Sequence, residues 1–166
     1  MIATRTYVEM TDGAALRPAR LSGEALSITR HDSCEPSLWR HLYSEVGRDY
    51  RWLDRLPWTD AEARAYLNDP AVSLWTLTAN GTLAGYFELR REPDGAIEIV
   101  YFGLLPGFMG RGLGAHLLTE AVDTAWSLGA RRVWLHTCSF DHPVALSNYL
   151  KRGFTIFKTE EYEVQD

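Results

Sequence analysis

Three glycines, Gly110, Gly112 and Gly114, alternate with other residues at the point where an apolar run ends and a helical pattern begins. The apolar run covers residues 97–105, and apolar residues then recur at helical spacing over 113–128. The first turn of a helix presents unpaired N–H groups and the positive end of the helix dipole. Glycine lets a large anion approach those groups without meeting a Cβ. The sequence therefore predicts a cradle for a phosphate or pyrophosphate group.

Two other phosphate-binding motifs fit this chain less well. The spacing Gly110-x-Gly112-x-x-Ala115 also matches a dinucleotide fingerprint. However, about two thirds of the chain precedes it, and the next strand, over 133–138, ends without the acidic residue that would bind a ribose. No Gly-Lys-Ser/Thr sequence follows, which excludes a nucleoside-triphosphate loop. The remaining alternative is a tight turn without a ligand, in which each glycine costs about 0.5–1 kcal/mol of helix stability relative to alanine.

Hairpin-linked strands precede the glycine loop. Turns at Asn80-Gly81 and Pro93-Asp94-Gly95 separate predicted strands over 72–78, 82–90 and 96–105. Short strands are expected before residue 30. They are followed by a helix over 36–46 with Pro36 as its first residue and a helix over 60–67 after the capping box Thr59-x-x-Glu62. The glycine helix should close at Gly129 and be followed by a strand over 132–138, a helix capped by Asp141 with Pro143 in its first turn, and one or two strands over 154–164. This order indicates a mixed sheet rather than a doubly wound one.

Composition narrows the class of protein. A chain of 166 residues with 46% apolar and 23% charged residues is long enough for one domain with one sizeable core. A net charge of −5 argues against a general nucleic-acid coat and mildly favours cationic or amine substrates. Two cysteines, Cys34 and Cys138, match a reducing compartment. The N-terminus lacks a hydrophobic signal region, and the longest uncharged stretch is too short and too broken to span a bilayer, so a cytoplasmic location without a membrane partner is expected.

The glycine segment over 104–114 resembles the acetyl-CoA-binding motif of the GNAT superfamily of N-acetyltransferases, Gln/Arg-x-x-Gly-x-Gly/Ala between a strand and a helix. Met109 stands where the family usually has Gln or Arg. A second segment, over 142–154, resembles the family motif Asn-x-x-Ala-x-x-Leu-Tyr-x-x-x-Gly-Phe, with His142 in place of Asn and Asn148 in place of Leu. Both matches lie in the family order.

This resemblance implies an α+β fold (a mixed α/β arrangement): a mostly antiparallel mixed sheet of six to seven strands, splayed in the middle and flanked by about four helices. Residues 1–166 are expected to form one acetyltransferase domain, with 96–157 as its cofactor-binding core and 1–24 as an N-terminal β extension. The implied activity is transfer of an acetyl group from acetyl-CoA, as cosubstrate and without a metal, to a primary amine. The acceptor is a small molecule or a peptide, no nucleic acid is involved, and a homodimer is left open.

Two alternatives from other classes remain. The first is a CoA- or acyl-CoA-binding regulatory module with little catalysis, and the second is a protein that binds a nicotinamide or flavin cofactor. A metal site is not expected, because His136 and Cys138 share one strand face but two ligands do not make a site. His31, His41 and His116 are isolated in the sequence and are interpreted as surface or helix residues.

The cofactor contacts implied by the resemblance fall into three groups. Gly103, in the middle of an apolar strand, predicts a β-bulge that frees backbone groups. In the family, such a splay holds the pantetheine arm and offers an N–H group to the thioester oxygen. The residues assigned to cofactor binding are Phe102, Gly103, Leu104 and Leu105 by backbone, the loop residues Met109, Gly110, Arg111, Gly112, Leu113, Gly114 and Ala115, and His142, Ala145 and Tyr149 on one helical face.

Glu98 and Tyr149 are the candidate catalytic residues. Glu98 is the only charged residue between Asp94 and Arg111, and apolar surroundings would raise the pKa of its carboxyl group toward that of a useful base. Its position resembles that of the strand glutamate that acts as base in histone-type members of the superfamily. Tyr149 matches the family tyrosine that protonates the CoA thiolate. The plainer alternatives are a solvent-facing glutamate and a tyrosine that packs on the sheet.

The acceptor contacts are expected in an aromatic and charged loop over 48–58. Tyr50, Trp52 and Trp58 lie there, and in the family this region forms one wall of the acceptor pocket. The sequence does not identify the acceptor amine.

Overall fold

The computed structural model describes residues 1–23 and 25–165 and contains a seven-stranded sheet with four α-helices. The strands are β1 (Ile2–Met10), β2 (Leu26–His31), β3 (Val72–Ala79), β4 (Thr82–Arg91), β5 (Ala96–Leu104), β6 (Arg132–Cys138) and β7 (Thr155–Glu163). The helices are α1 (Pro36–Gly47), α2 (Asp60–Leu67), α3 (Leu113–Ser127) and α4 (Ala145–Lys151), with a short 3-10 helix over Gly13–Ala15.

The sheet opens in its middle. Its strand order is β2-β3-β4-β5-β6-β1-β7, and all neighbours are antiparallel except β5 and β6. Those two strands pair only from Ala96 to Glu98, opposite Arg132 to Trp134, and the rest of β5 pairs with β4 alone. The predicted α+β fold, with a splayed sheet of six to seven strands and about four helices, is confirmed. Residues 2–10 form an interior strand between β6 and β7.

The helices cover the two faces of the sheet with separate cores. Helix α3 packs on one face, where its side chains Leu113, Leu117 and Ala121 are fully buried beside β4 and β5. Helices α1 and α2 pack on the other face, around Trp39, Tyr43 and residues of β3 and β4. Their start signals act as the sequence predicts, since Pro36 is the first residue of α1 and the capping box at Thr59 begins α2.

The β-bulge in β5 lies at Val100, not at Gly103 as predicted. Tyr101 is opposite Glu88 and Ile99 is opposite Leu89, so Val100 is the extra residue, whereas Gly103 pairs regularly with Tyr86. Gly103 is required for a different reason. A Cβ there would lie 2.4 Å from the Val46 side chain, so the glycine allows α1 to pack directly on the strand.

Helix α4 begins later than predicted. Its N-cap is Val144, and Asp141 instead accepts hydrogen bonds from the Thr137 hydroxyl and from the Cys138 N–H at 2.9 Å. Asp141 therefore closes the end of β6 rather than capping α4. His142 consequently lies before the helix, in a turn in which the Ala145 N–H donates to the His142 carbonyl.

The segment over residues 16–23, here called the strap, connects β1 toward β2 along α3. The Leu21 N–H donates to Nδ1 of His116 at 3.1 Å, and the Ala19 N–H donates to the Thr119 hydroxyl at 3.0 Å. Arg20 forms ion pairs with Glu120 and Asp123 on the same helix. His116 is thus a helix residue, one of the two interpretations of the sequence, and it is buried where it anchors the strap.

Candidate active site

A single continuous cleft of about 750 Å³ lies where the sheet opens. One wall is the second half of β5, and another is the end of β6 with the start of α4. The loop between α1 and α2 closes a third side, and residues near both chain ends, Arg5, Tyr162 and Gln165, also line the cleft. Both candidate catalytic residues, Glu98 and Tyr149, line this cleft.

Glu98 occupies the last paired position of β5 before the strands separate. Its residue is only 3% exposed, which rules out the solvent-facing alternative. The neighbouring strand supplies Arg90, whose Nη2 donates to Glu98 Oε1 at 2.7 Å. Burial raises the pKa of the Glu98 carboxyl above its usual value, although the charge and hydrogen bond of Arg90 act in the opposite direction. The group is therefore a carboxylate that takes up a proton more readily than an exposed glutamate.

Tyr149 lies on α4 with its ring packed on the sheet and its hydroxyl available. Its ring meets Phe102 and Phe154 edge-on, with centroid distances of 6.3 and 6.4 Å. No hydrogen bond joins the Tyr149 hydroxyl to any residue of 1–23 or 25–165. Burial raises the pKa of this hydroxyl above its usual value, so the group keeps its proton at neutral pH. Tyr149 can therefore both pack on the sheet through its ring and donate a proton through its hydroxyl.

The glycine loop has the backbone geometry of an anion cradle. Gly110 and Gly112 have φ angles of +78° and +76°, a region that favours glycine, and Gly112 is the N-cap of α3. Gly114 already belongs to the first helical turn, and its carbonyl accepts from Nδ2 of Asn148 at 3.3 Å. The N–H groups of this turn have no acceptors within the helix. The first turn of α3 can therefore receive an anion.

The structure divides the predicted cofactor residues into two sets. Those that line the cleft are Phe102, Gly103, Leu104, Met109, Gly114, His142, Ala145 and Tyr149. Outside its lining are Leu105, Gly110, Arg111, Gly112, Leu113 and Ala115. Leu105 is unavailable as a donor, because its N–H already donates to the Ala84 carbonyl at 2.8 Å and its side chain is buried.

The residues predicted to contact the acceptor also fall into two sets, inside and outside the cleft lining. Tyr50 and Trp52 line the cleft, and Trp52 packs edge-on against Tyr101 with a centroid distance of 4.8 Å. Trp58 lies outside the lining. Its ring stacks on Trp39 at 5.6 Å, so it belongs to the core beneath the loop.

Sequence reasoning did not identify Arg55, Glu88 or Arg90. Arg55 lines the cleft and donates to both carboxylate oxygens of Glu88, at 2.7 and 3.1 Å. Arg90 was recognisable, because the Pro93-Asp94-Gly95 turn sets a hairpin register in which Arg90 faces Glu98. No local sequence signal pairs Arg55 with Glu88, which are 33 residues apart.

Two further kinds of feature are absent from residues 1–23 and 25–165. No group of three or more His, Cys, Asp or Glu side chains in this part of the chain is placed to hold a metal ion. None of the helices described there has the length and apolar character needed to cross a membrane.

Comparison with solved structures supports the fold. A GCN5-related N-acetyltransferase from Sphaerobacter thermophilus superposes with a TM-score of 0.67 at 18% identity, over 95% of this chain and 50% of that one. The ribosomal-protein-S18-alanine N-acetyltransferase from Escherichia coli superposes with a TM-score of 0.61 at 19% identity, over 79% of this chain and 78% of that one. The chain thus spans about half the length of the Sphaerobacter protein.

Comparison of sequences gives the family. Uncharacterized N-acetyltransferases of Mycobacterium tuberculosis and Mycobacterium bovis are 34% identical to this chain over 106 residues, which are 64% of this chain and 67% of each relative. The model of the Acetyltransferase (GNAT) family matches residues 38–154, more than two thirds of the chain. The chain belongs to the GNAT acetyltransferase family.

Proposed function

We propose that this protein is an N-acetyltransferase that moves an acetyl group from acetyl-CoA to a primary amine by direct attack. The observation that carries the proposal is the single cleft that Glu98 and Tyr149 share at the opening between β5 and β6. A buried carboxylate with a raised pKa and a buried, protonated tyrosine are the two proton-transfer groups that such a reaction needs.

The residues present fit acetyl-CoA. The first turn of α3, with Gly112 as its N-cap, offers N–H groups and a positive dipole end to the pyrophosphate. The unpaired edge of β5 over 99–104 offers backbone groups to the pantetheine arm, and Ala145 leaves room beside it. When bound, acetyl-CoA supplies the activated acetyl group as a thioester.

Glu98 acts as the base, directly or through a water molecule. It accepts a proton from the substrate ammonium, which frees the nitrogen lone pair to attack the carbonyl carbon. Arg90 holds the carboxylate by its single 2.7 Å hydrogen bond to Oε1. As the new C–N bond forms, the C–S bond breaks, and Tyr149 donates its hydroxyl proton to the departing sulfur. The amide nitrogen then loses its second proton, and that proton restores the Tyr149 hydroxyl directly or through a water molecule.

The alternative function is a CoA- or acyl-CoA-binding regulatory module with little catalysis. The same loop and cleft would support binding in that case, and the difference lies only in turnover. A protein that binds CoA at micromolar concentration but acetylates no amine would favour this alternative.

The first test is a thermal shift with acetyl-CoA followed by an amine screen read by free-thiol release. A ligand at about 100 times its Kd should stabilise the protein by about 2.7 kcal/mol and raise Tm measurably. A control ligand that shares the adenosine and the pyrophosphate, NAD, should produce no comparable shift. If saturating acetyl-CoA leaves Tm unchanged, the proposal fails.

A further inference from the structure

We infer that the acceptor is a monoamine with an uncharged, ring-bearing body, rather than a polyamine or an amino acid. This inference rests on the proposed function and concerns the acceptor half of the cleft. We define that half by the loop residues 50–55 together with Arg90, Glu98, Tyr101 and His136, all of which line the cleft.

The arginines of the cleft are already occupied. Three of them form ion pairs: Arg5 with Glu160 at 3.0 Å, Arg55 with Glu88 at 2.7 Å, and Arg90 with Glu98 at 2.7 Å. The fourth, Arg51, donates to the Gln165 carbonyl at 2.9 Å and lies over the Phe140 ring. A carboxylate or phosphate on the acceptor would have to displace one of these partners. The acceptor half therefore disfavours an anionic substituent.

The cleft contains one carboxylate without a partner. Glu98 is paired with Arg90, and Asp141 accepts from Thr137 and Cys138. Asp54, in contrast, has no hydrogen bond or ion pair to any residue in the described ranges. Its charge lies near Tyr101, whose pKa is raised mainly by burial and partly by Asp54. One free carboxylate matches one ammonium group, and a second ammonium would find no counter-ion.

The remaining surface of the acceptor half is aromatic. Trp52 meets Tyr101 at a centroid distance of 4.8 Å, and Tyr101 meets Tyr43 at 5.2 Å. Trp52 packs directly on Gly47, because a Cβ on Gly47 would lie 2.5 Å from the nearest atoms of the Trp52 ring. A fixed wall of rings favours a flat apolar group through burial and edge-to-face contacts. The ring of the acceptor would lie against this wall, and the Asp54 carboxylate near Tyr101 would attract its ammonium group.

The test compares amines that differ in one group. Hexylamine and 1,5-diaminopentane have the same length and differ by one terminal ammonium, and 2-phenylethylamine and L-phenylalanine differ by one carboxylate. We expect kcat/KM to be highest for 2-phenylethylamine, with a loss of about 10-fold or more for each added charge. Kanamycin, a polycation, should be poorer still.

Substitutions test which residues of the cleft set the preference among these amines. Asp54→Asn should raise KM for 2-phenylethylamine about 10-fold, whereas Asp49→Asn, an exposed carboxylate of the same loop outside the cleft lining, should not. Trp52→Leu should bring the preference for 2-phenylethylamine over hexylamine close to one. Because Trp52 also packs on Gly47, Tyr50→Leu provides a second variant with less effect on folding.

A binding measurement separates this inference from the proposed function. Calorimetric titration of 2-phenylethylamine into the CoA-bound protein requires no turnover. Binding without acetyl transfer would support the acceptor class and reject the proposed reaction. Acetylation of kanamycin or 1,5-diaminopentane as efficiently as 2-phenylethylamine would overturn the acceptor class and leave the reaction standing. If 2-phenylethylamine is neither bound nor acetylated, the proposed acceptor class is also wrong.

Discussion

The guanidinium group of Arg55 and the carboxylate of Glu88 form a two-pronged ion pair beneath the cleft, with N–O distances of 2.7 and 3.1 Å. Tyr66 donates its hydroxyl to the same carboxylate at 2.6 Å, and the Tyr66 and Tyr101 rings each lie 4.4 Å from the guanidinium carbon. Burial would lower the pKa of Arg55, but the charge of Glu88 raises it overall. The loop over 48–58 is thereby fixed to β4 through one buried cation.

Removing one member of this pair should be strongly destabilising. Arg55→Met leaves an uncompensated carboxylate in the core, and Glu88→Leu leaves an uncompensated guanidinium, so each should lower the free energy of unfolding by about 3–5 kcal/mol. The double variant should lose much less than the sum of the two, because neither charge then remains buried. Urea unfolding of all four proteins measures this coupling.

An exposed pair serves as the control. Asp32 lies 3.2 Å from Arg30 with 85% of its side chain exposed, and Asp32→Asn should change the free energy of unfolding by less than about 1 kcal/mol. Additive losses in the Arg55 and Glu88 variants would contradict the interpretation that the two groups act as a unit.

Replacement of Glu98 tests the base. Glu98→Gln should lower kcat by about 10²- to 10⁴-fold, because the amide cannot take up the ammonium proton. The wild-type rate should fall on the acid side as the Glu98 carboxyl becomes protonated, at a pH above the usual glutamate range because burial raises its pKa. In the variant, that acid limb should disappear. An unchanged rate and an unchanged pH profile would reject the assignment.

The raised pKa of Glu98 also predicts how the free energy of unfolding changes with pH. Its folded-state pKa is raised, so the fold favours the protonated form, and this contribution is lost as pH rises through the folded-state pKa. The glutamine variant is always neutral and has no such loss. Its free energy of unfolding relative to wild type should therefore increase as pH rises from the usual glutamate pKa through the raised folded-state pKa of Glu98. Urea unfolding at several pH values measures this difference and does not depend on activity.

Local chemistry explains which parts of this fold the sequence predicts. The capping box at Thr59, the Asn80-Gly81 turn and the start of β6 at Arg132 are found where they are expected, because each is determined within a few residues. Gly112 is likewise predictable as a special backbone position. Its φ of +76° at the N-cap of α3 is the conformation that glycine supplies.

Long-range packing explains what the sequence could not predict. The position of Gly103 within a strand predicts a bulge. The residue is glycine because Val46 of α1, 57 positions earlier in the chain, packs against it. The sequence predicts Asp141 as a helix cap, but its carboxylate instead accepts hydrogen bonds from Thr137 and Cys138 at the end of β6. In both cases, two uses of one residue type compete, and only tertiary contacts decide between them.

Tyr149 is tested by loss of its hydroxyl alone. Tyr149→Phe keeps the ring contacts with Phe102 and Phe154, so the protein should fold normally. The rate should fall about 10²-fold, because no other group is assigned to protonate the thiolate. Tyr162→Phe, at another position in the cleft lining, is the matched control and should retain most of the activity. Equal losses in both variants would point to a general effect on the cleft rather than to acid catalysis.

Alanine substitutions distinguish the glycines of the loop. Gly112→Ala places a Cβ in a left-handed conformation and 3.3 Å from Leu21, so it should destabilise the protein by about 1–2 kcal/mol and raise KM for acetyl-CoA. Gly114→Ala is helical and meets its nearest atoms at 3.9 Å. It should be tolerated or stabilise the helix by about 0.5–1 kcal/mol. Thermal unfolding and acetyl-CoA titration of both variants provide the comparison, and a loss at Gly114 as large as that at Gly112 would argue against this account.

His116 connects the strap to the glycine loop. Its Nδ1 accepts the Leu21 N–H, and the Leu21 side chain lies against Gly112. His116→Leu removes the acceptor and leaves that N–H without a partner, so the strap should loosen and KM for acetyl-CoA should rise several-fold with little change in kcat. His116→Asn offers a replacement acceptor and should recover part of the loss. Amide hydrogen exchange at Leu21 should increase in the leucine variant. If exchange increases while KM is unchanged, the strap stabilises α3 without orienting the loop.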